Sequence, residues 1–210
     1  MRSKGDSRVG AVILAAGKSA RMGEAKLLLR LGESTVLGQT LAHVRAASVD
    51  EVVIVLGASA EAIRKQLAAE VLRETRVVVN PEYETGMASS LRVGLAALGS
   101  DVDAAVIVLG DQPFVRPATI DRIIEEYRRT GAEIVIPMYE GARGNPVLLD
   151  RSLFREAMAL EGDVGCRAIF TKHAEGVVYL EVDDSGVLLD IDSRGDYERL
   201  RRSRSSQNQA

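Results

Sequence analysis

Residues 12–26 read VILAAGKSARMGEAK. A short apolar run ends at Gly17, and small and cationic residues follow it. Such a transition is typical of phosphate-binding loops, in which small residues let backbone N–H groups approach an anion closely. The stretch departs from both common patterns, because GxxxxGK[ST] requires glycine at Val12 and GxGxxG requires glycine at Ser19. The alternative interpretation is a tight turn between a strand and a helix, with solvated lysine and arginine.

Outward from this stretch, short β-branched runs alternate with longer amphipathic segments. We predict strands at Val9–Leu14, Val52–Leu56, Arg76–Val79, Ala105–Leu109 and Glu133–Pro137. We predict helices at Val36–Ala47, Ser59–Glu70, Met87–Leu98 and Pro117–Arg129. Nearly continuous apolar strands are typical of parallel strands that are covered on both faces. The alternation therefore predicts an α/β fold with right-handed crossovers.

The final third of the chain is less regular, and we expect it to complete the site. Its predicted strands are Val147–Leu149, Val177–Leu180 and Val187–Ile191, and its predicted helices are Ser152–Leu160 and Cys166–Lys172. We predict one domain over residues 1–198. The polar, basic residues 199–210 are expected to form a disordered tail.

The composition is that of an ordinary soluble globular protein, with 46% hydrophobic and 27% charged residues among 210. The net charge of −3 argues against a nucleic-acid-binding surface. One cysteine, Cys166, cannot form an intrachain disulfide, which fits a reducing compartment. We interpret Cys166 as a packed small residue. His43 and His173 are far apart and are interpreted as surface or helix-end residues, so a structural zinc site is not expected.

The beginning of the chain is interpreted as a buried strand, because Lys18, Arg21 and Lys26 follow the apolar run at once where a signal peptide would continue neutrally. No stretch approaches the ~18 apolar residues that a membrane span requires. We therefore expect a cytoplasmic protein without membrane or nucleic-acid partners.

Candidate metal ligands follow two of the later predicted strands. In open α/β sheets, ligands bind outside the carboxyl ends of the strands. Asp111, in the turn GDQP, stands where Mg²⁺ bridges a protein and a triphosphate; the alternative is a carboxylate that caps the turn. In LDIDS, strand alternation would place Asp190 and Asp192 on one face, either beside a cation or on a solvated edge.

Further turns are ambiguous when they are taken singly. Gly86 and Ser90 open a predicted helix, where serine is common, but both residues also suit the edge of a nucleobase. Asn145 lies in the turn RGNP, and Gly162–Arg167 forms a glycine-bounded turn.

The succession of these stretches is more specific than any one of them. LAAGKSARMGEAKLLL resembles the signature loop LAxGxSxRMGxxK of the MobA-like nucleotidyltransferases. The order continues through NPEYETGMASSL, GDQP, RGNPVLL, GDVGCR and DID, over residues 9–195. LAAG and GDQP resemble the molybdenum-cofactor cytidylyltransferase branch, whereas the guanylyltransferases typically have LAGG. The resemblance implies a Rossmann-like three-layer α/β/α fold with a mostly parallel sheet, of the nucleotide-diphospho-sugar transferase type.

The resemblance also implies roles for individual residues. The nucleotide would be bound by Leu14, Ala15, Ala16, Gly17, Lys18, Ser19, Gly86 and Ser90. The catalytic residues would be Arg21, Lys26 and Asp111. Mg²⁺ would be held by Asp111 and Asp192, and the acceptor would be bound by Asn145 and by Asp163 in the loop 162–167. The sequence departs from the family pattern at two places. SRGDY follows DID, where the family commonly has a TPEDY-like segment, and Cys166 stands where a small residue such as alanine is common.

The implied reaction moves CMP from CTP to a phosphorylated acceptor of the molybdopterin type and releases pyrophosphate. Three alternatives stay open: a GTP-using guanylyltransferase, a transferase acting on a sugar or alcohol phosphate, and a non-catalytic nucleotide-binding factor that assists the maturation of a molybdoenzyme. A molybdoenzyme or its chaperone is the protein partner that such a role implies.

Overall fold

A mostly parallel β-sheet forms the centre of the computed structural model, which describes residues 4–18, 25–67 and 74–207. The strands are β1 (Val9–Ala15), β2 (Arg30–Leu31), β3 (Ser34–Thr35), β4 (Glu51–Leu56), β5 (Arg76–Val79), β6 (Ala104–Leu109), β7 (Ile134–Tyr139), β8 (Ala142–Arg143), β9 (Val147–Asp150) and β10 (Val177–Glu181). Across the large sheet their order is β10-β7-β9-β6-β1-β4-β5, with β8 paired to β7, while β2 and β3 form a separate hairpin.

The sheet is parallel in the first part of the chain, where the sequence shows a clear alternation of strands and helices. Strand β1 pairs in parallel with β4 and β6, and β4 pairs in parallel with β5. Strand β9 interrupts this pattern, because it lies antiparallel between β6 and β7. Strand β10 then pairs in parallel with β7. The predicted mostly parallel α/β sheet is confirmed.

Helices cover both faces of the sheet. They are α1 (Val36–Arg45), α2 (Ala60–Gln66), α3 (Met87–Ala97), α4 (Pro117–Thr130), α5 (Phe154–Met158), α6 (Arg167–Phe170) and α7 (Arg194–Gln207). One apolar core joins α1, α2, α4 and α7 to one face, and a second core joins α3, α5 and α6 to the other. Successive strand residues therefore enter different cores: Ala11 and Ile13 enter the first, and Val12 enters the second. This arrangement confirms the three-layer α/β/α architecture.

Two expectations for the end of the chain are wrong. The sequence predicts a strand over residues 187–191, but Ser185–Leu188 is a short 3-10 helix, and no regular structure follows until α7. The predicted disordered tail is helical as far as Gln207, in α7. Apolar burial explains why this helix forms despite its polar composition: Tyr197 and Leu200 are buried, and the Tyr197 hydroxyl donates to the Arg30 carbonyl at 2.5 Å.

Other predicted boundaries lie close to the observed ones. The helix expected at Ser59–Glu70 begins at Ala60, and its predicted last turn includes residues outside the described part of the chain. The helix expected at Ser152–Leu160 consists of a 3-10 turn at Arg151–Leu153 followed by α5. Within the described residues, no helix is long and apolar enough to cross a membrane.

Candidate active site

The carboxyl ends of β1 and β6 lie side by side and open into a cavity. Leu14 and Leu109 are partners in the parallel ladder, and the Gly110 N–H donates to the Leu14 carbonyl at 2.9 Å. The cavity has a volume of about 500 Å³. It is lined by Leu14, Ala15, Ala16, Gly17, Lys18, Lys26, Leu27, Tyr83, Glu84, Thr85, Gly86, Met87, Ser90, Leu109, Asp111 and Asp163. Ligand binding at this edge is expected for an open α/β sheet.

The loop after β1 has one side against the protein and one side open. The Ala16 carbonyl accepts from the Ala58 N–H at 3.2 Å, and Gly57 packs against Ala16 so closely that a side chain there would clash. A Cβ added to Gly17 would meet nothing within 4 Å. The backbone at Gly17 therefore faces free space, as a loop must if a phosphate is to approach it. Of the predicted loop residues, Ser19 and Arg21 lie outside the described part of the chain.

Lys18 crosses the mouth of this cavity. Its ammonium group lies 2.7 Å from the Glu84 carboxylate and 5.9 Å from the centre of the Tyr83 ring. The hydrogen bond to Glu84 raises the pKa of Lys18, and the same bond lowers the pKa of Glu84. Because both side chains are exposed, this ion pair is easily exchanged for a bound anion.

Lys26 joins the two predicted metal ligands. Its ammonium nitrogen lies 2.6 Å from an Asp111 carboxylate oxygen and 3.0 Å from an Asp192 oxygen. Burial lowers the pKa of Lys26, but the charges and hydrogen bonds of the two carboxylates outweigh burial, so the pKa is raised. Lys26 is therefore charged at neutral pH. The three residues, far apart in sequence, meet at one point beside the cavity.

Backbone hydrogen bonding brings Asp192 to this point. The Ile191 N–H donates to the Asp111 carbonyl at 3.1 Å, which fixes the 189–192 segment against the turn after β6. The preceding 3-10 helix is braced by the buried Asp184, which accepts from the Arg116 and Gly186 N–H groups and from the Thr119 hydroxyl. Asp111 and Asp192 thus lie on the same ammonium group, although the strand that was expected near Asp192 does not form.

Two carboxylates that converge on one cation suit a divalent metal ion. Mg²⁺ in nucleotide sites is typically held by one or two carboxylates, together with phosphate oxygens and water. Asp111 and Asp192 supply that donor set, while no cluster of three or more metal-ligating side chains occurs in the described parts of the chain. The residues present therefore fit a metal ion whose remaining ligands come with the nucleotide, and they do not fit an all-protein cage.

Asp190 lies next to the Asp192 carboxyl group but also lines another space. It lines a second, adjoining cavity of about 290 Å³, together with Leu14, Met87, Leu91, Ile107, Leu109, Asn145, Val147, Gly165, Cys166, Arg167 and Phe170. Partial burial raises the pKa of Asp190, and the nearby carboxylates of Asp192 and Asp111 also raise it. Leu14, Met87 and Leu109 line both cavities, so the two spaces share an apolar wall.

The residues predicted to bind the acceptor fall in both cavities. Asn145 lines the second cavity, and its N–H donates to the Val187 carbonyl at 2.9 Å. Asp163 lines the first cavity, where its carboxylate lies 3.3 Å from the Met87 N–H. Cys166 is buried beside the second cavity, and burial raises the pKa of its thiol to about 12. A thiol with this pKa stays protonated at neutral pH, which agrees with a packing role.

A buried polar cluster supports the side of the first cavity that is formed by α3. Gly86 has φ of 116°, and a Cβ there would lie 2.3 Å from the Gly162 carbonyl group. The Asn80 amide nitrogen lies 2.8 Å from the Ser89 hydroxyl and 3.0 Å from the Ser90 hydroxyl. Of these residues, the sequence predicts only Gly86 and Ser90 as part of the site. Asn80 could have been identified from the sequence, because it is a polar residue that directly follows a predicted buried strand.

The two histidines lie outside both cavities. His43 is in α1, and its ring contacts the Val115 carbonyl at 2.8 Å. The ring nitrogens of His173 lie 3.1 and 2.9 Å from the carboxylates of Glu133 and Glu156. Both residues hold neighbouring segments together, and neither reaches the Lys26–Asp111–Asp192 cluster.

A central sheet covered by helices on both faces, with a cavity at its carboxyl edge next to two carboxylates and a lysine, is typical of a nucleotide-binding α/β enzyme. Residues 11–177 match the MobA-like NTP transferase domain, and the chain belongs to that family. It is therefore a nucleotidyltransferase, as the resemblance implied.

Three similar proteins illustrate the range of the family. The chain is 31% identical to the nicotine blue oxidoreductase of Paenarthrobacter nicotinovorans, over 88% of this chain and 92% of that protein. It is 24% identical to the molybdenum cofactor cytidylyltransferase of Escherichia coli (strain K12), over 91% and 94% of the two chains. Rv0371c of Mycobacterium tuberculosis H37Rv superposes with a TM-score of 0.84 at 39% identity, over 93% and 99% of the chains, and a manganese complex of that protein has also been solved.

Proposed function

We propose that the protein transfers CMP from CTP to a phosphorylated acceptor of the molybdopterin type and releases pyrophosphate. The single observation that carries this proposal is the meeting of Lys26, Asp111 and Asp192 at the wall of a cavity that adjoins a second one. One cavity has the size of a nucleotide site, and the other has room for an acceptor. The reacting groups would meet between them.

The chemistry places modest demands on the protein. The phosphate monoester of the acceptor has a second pKa of about 6, so it is largely ionised at neutral pH and needs no general base. One of its oxygens attacks the α-phosphorus of CTP in line, and the bond to pyrophosphate breaks. The protein must align two anions and screen their repulsion. Lys26 and Lys18, which line the first cavity, would supply positive charge, and the backbone near Gly17 would supply N–H donors.

We propose Mg²⁺ as the cofactor, held by Asp111 and Asp192. When bound, it would supply charge neutralisation for the phosphates. The fact that the similar Rv0371c has been solved in complex with manganese supports a divalent ion as the cofactor. Arg21 remains a proposed triphosphate contact on the basis of the sequence resemblance. A cytoplasmic location is likewise proposed from the composition.

The choice of CTP over GTP rests on Ala16 and on the similarity to a molybdenum cofactor cytidylyltransferase. The wall formed by Gly86 and Ser90 would face the base. For the acceptor, the second cavity combines an apolar floor with Asn145, Arg167 and Asp190, which suits a flat heterocycle with polar edges.

Pyrophosphate exchange tests the proposal. Radiolabelled pyrophosphate should enter CTP, and not GTP, ATP or UTP, when a divalent ion and molybdopterin are present. Exchange into GTP alone would identify a guanylyltransferase. Transfer of the nucleotidyl group to a sugar or alcohol phosphate, but not to molybdopterin, would show that the acceptor is of that other class. Binding of CTP without any exchange would support the alternative of a non-catalytic nucleotide-binding factor that assists the maturation of a molybdoenzyme.

The similarity to a protein named nicotine blue oxidoreductase gives a second candidate function. The same preparation should therefore be assayed for reduction of nicotine blue in the presence of added electron donors. Dye reduction without nucleotidyl exchange would favour an oxidoreductase and overturn the proposed transfer.

A further inference from the structure

A buried asparagine, Asn80, lies behind the wall of the first cavity and contacts a serine of that wall. Asn80 lies directly after β5 and is only 1% exposed, and it does not line the cavity. Ser90, on α3, is 4% exposed and does line it. The Asn80 amide therefore acts from behind the cavity wall, through a side chain that a ligand can touch.

The orientation of this amide is fixed by the backbone. The Glu82 N–H, which can only donate, lies 2.9 Å from one side-chain atom of Asn80, so that atom is the carbonyl oxygen. The other atom is then the NH₂ group, whose two protons point to the hydroxyl oxygens of Ser89 and Ser90. Both serine oxygens are thus acceptors.

The two serines differ in where their own protons go. The single Ser89 hydroxyl proton has two backbone acceptors within reach, the carbonyls of Glu82 and Gly86 at 3.0 and 2.8 Å. Among the residues that the structure describes, the Ser90 hydroxyl donates no hydrogen bond; it only accepts one, from Asn80. That proton is consequently available to a group inside the cavity.

We infer that Asn80 is a positioning residue for nucleotide selection: it makes Ser90 a hydrogen-bond donor to the base, so the site favours a base with an acceptor at that point. This inference rests on the proposed CTP-dependent function. Cytosine offers two such acceptors, its O2 and N3 atoms. The Glu82 N–H would thus fix the orientation of the Asn80 amide, and that amide would in turn make the Ser90 hydroxyl a donor to the base.

Asn80→Asp reverses this polarity while it keeps the size of the side chain and the bond from Glu82. The ionised carboxylate that this substitution introduces has no proton to give, so Ser89 and Ser90 would donate to it, and Ser90 would present a lone pair to the base. Asn80→Ala only removes the bonds and leaves the Ser90 proton available. The two variants therefore separate polarity from packing.

The experiment compares affinities for CTP and for inorganic tripolyphosphate, which carries no base, in the full-length protein with a divalent ion. Their ratio isolates the contribution of the base and cancels any general effect of the added negative charge on anions. We expect Asn80→Asp to lower the ratio about tenfold, as a lost or reversed hydrogen bond does. Asn80→Ala should lower it less. Ser89→Ala, which loses buried hydrogen bonds without facing the cavity, should reduce stability but keep the ratio.

A double-mutant cycle tests the route through Ser90. Ser90→Ala should lower the ratio by itself, and Asn80→Asp or Asn80→Ala should add nothing in that background. The inference is overturned if the Asn80 variants weaken CTP and tripolyphosphate equally, or if their effect on the ratio persists without Ser90. A wild-type preference for GTP would instead overturn the proposed function, and the ratio measured with GTP would then test the Asn80–Ser90 connection separately.

Discussion

The two halves of the molecule build the site in different ways. Up to α4, the chain repeats strand and helix, and loops at the ends of parallel strands supply Gly17, Lys26 and Asp111. From β7 onward, the chain contributes an antiparallel strand, short 3-10 helices and a loop that carries Asp192. The first half places its residues by topology, whereas the second half places them by individual tertiary hydrogen bonds. The comparison shows that one site can combine residues positioned by strand topology with residues positioned by single tertiary hydrogen bonds.

The largest expected effect is on Asp111, where the two halves meet. Asp111→Asn should lower turnover by about three orders of magnitude, because an anionic oxygen is lost where metal and phosphate charge must be balanced. The unfolding midpoint should stay near that of the wild type. Asp183 is an exposed carboxylate of the second half that lines neither cavity, so Asp183→Asn is the matched control and should retain full activity. Wild-type turnover of Asp111→Asn would remove this residue from the reaction.

Substitutions at Gly86 and Gly17 distinguish packing between the two halves from contact with a ligand. Gly86→Ala combines positive φ with a clash against Gly162, so it should destabilise the protein by about 1–3 kcal/mol in urea unfolding. Gly17→Ala meets no protein atom within 4 Å and should change stability by less than ~0.5 kcal/mol. Gly17→Ala should nevertheless weaken CTP binding. Equal loss of stability in both variants would contradict this distinction.

Lys26 sharpens the comparison, because this residue of the first half neutralises Asp192 of the second. In the absence of nucleotide, Lys26→Met should bind Mn²⁺ about tenfold more tightly, since the ion no longer displaces an ammonium group from both carboxylates. Electron paramagnetic resonance of free Mn²⁺ measures this directly. Lys65→Met, on the exposed side of α2, is the control. Unchanged Mn²⁺ affinity in Lys26→Met would mean that the ion binds elsewhere.

The smallest effect is expected at His173, which links segments within the second half only. Its hydrogen bonds to Glu156 and Glu133 raise its folded-state pKa above the ordinary value. The stabilisation is therefore complete below about pH 6.5 and is lost as the pH rises through the raised value. His173→Gln should lower the thermal midpoint more at about pH 6 than at about pH 9. A larger loss at the higher pH would reverse the assigned sign.

The sequence predicts the first half well because its signals are local. Continuous apolar runs such as those of β1 and β6 indicate parallel strands, and Pro117 marks the start of α4. The position of Asp111 follows from that pattern. Family resemblance, and not periodicity, indicated that Asp192 would join it.

The errors in the second half have physical causes that lie outside the local pattern. Residues 187–191 alternate like a strand, yet Asp184 and the Asp111 carbonyl hold this segment as a turn and a loop. Tertiary hydrogen bonds therefore override strand propensity. The polar stretch after Tyr197 is helical because Tyr197 and Leu200 are buried against the first core, a contact that composition alone does not reveal. The importance of Asn80 follows only from its distances to Ser89 and Ser90.

The placement of β9 has a consequence for biosynthesis. Strand β6 leaves the ribosome well before β9, yet β9 occupies the hydrogen-bonding edge of β6 that faces away from β1. Until Val147–Asp150 has been synthesised, that edge stays open to pairing with other chains, which is the usual route to aggregation. A truncated product ending at Thr130 should consequently be insoluble, even though it contains every residue of the regular half. Chaperone dependence during translation would then be concentrated in the interval between β6 and β9.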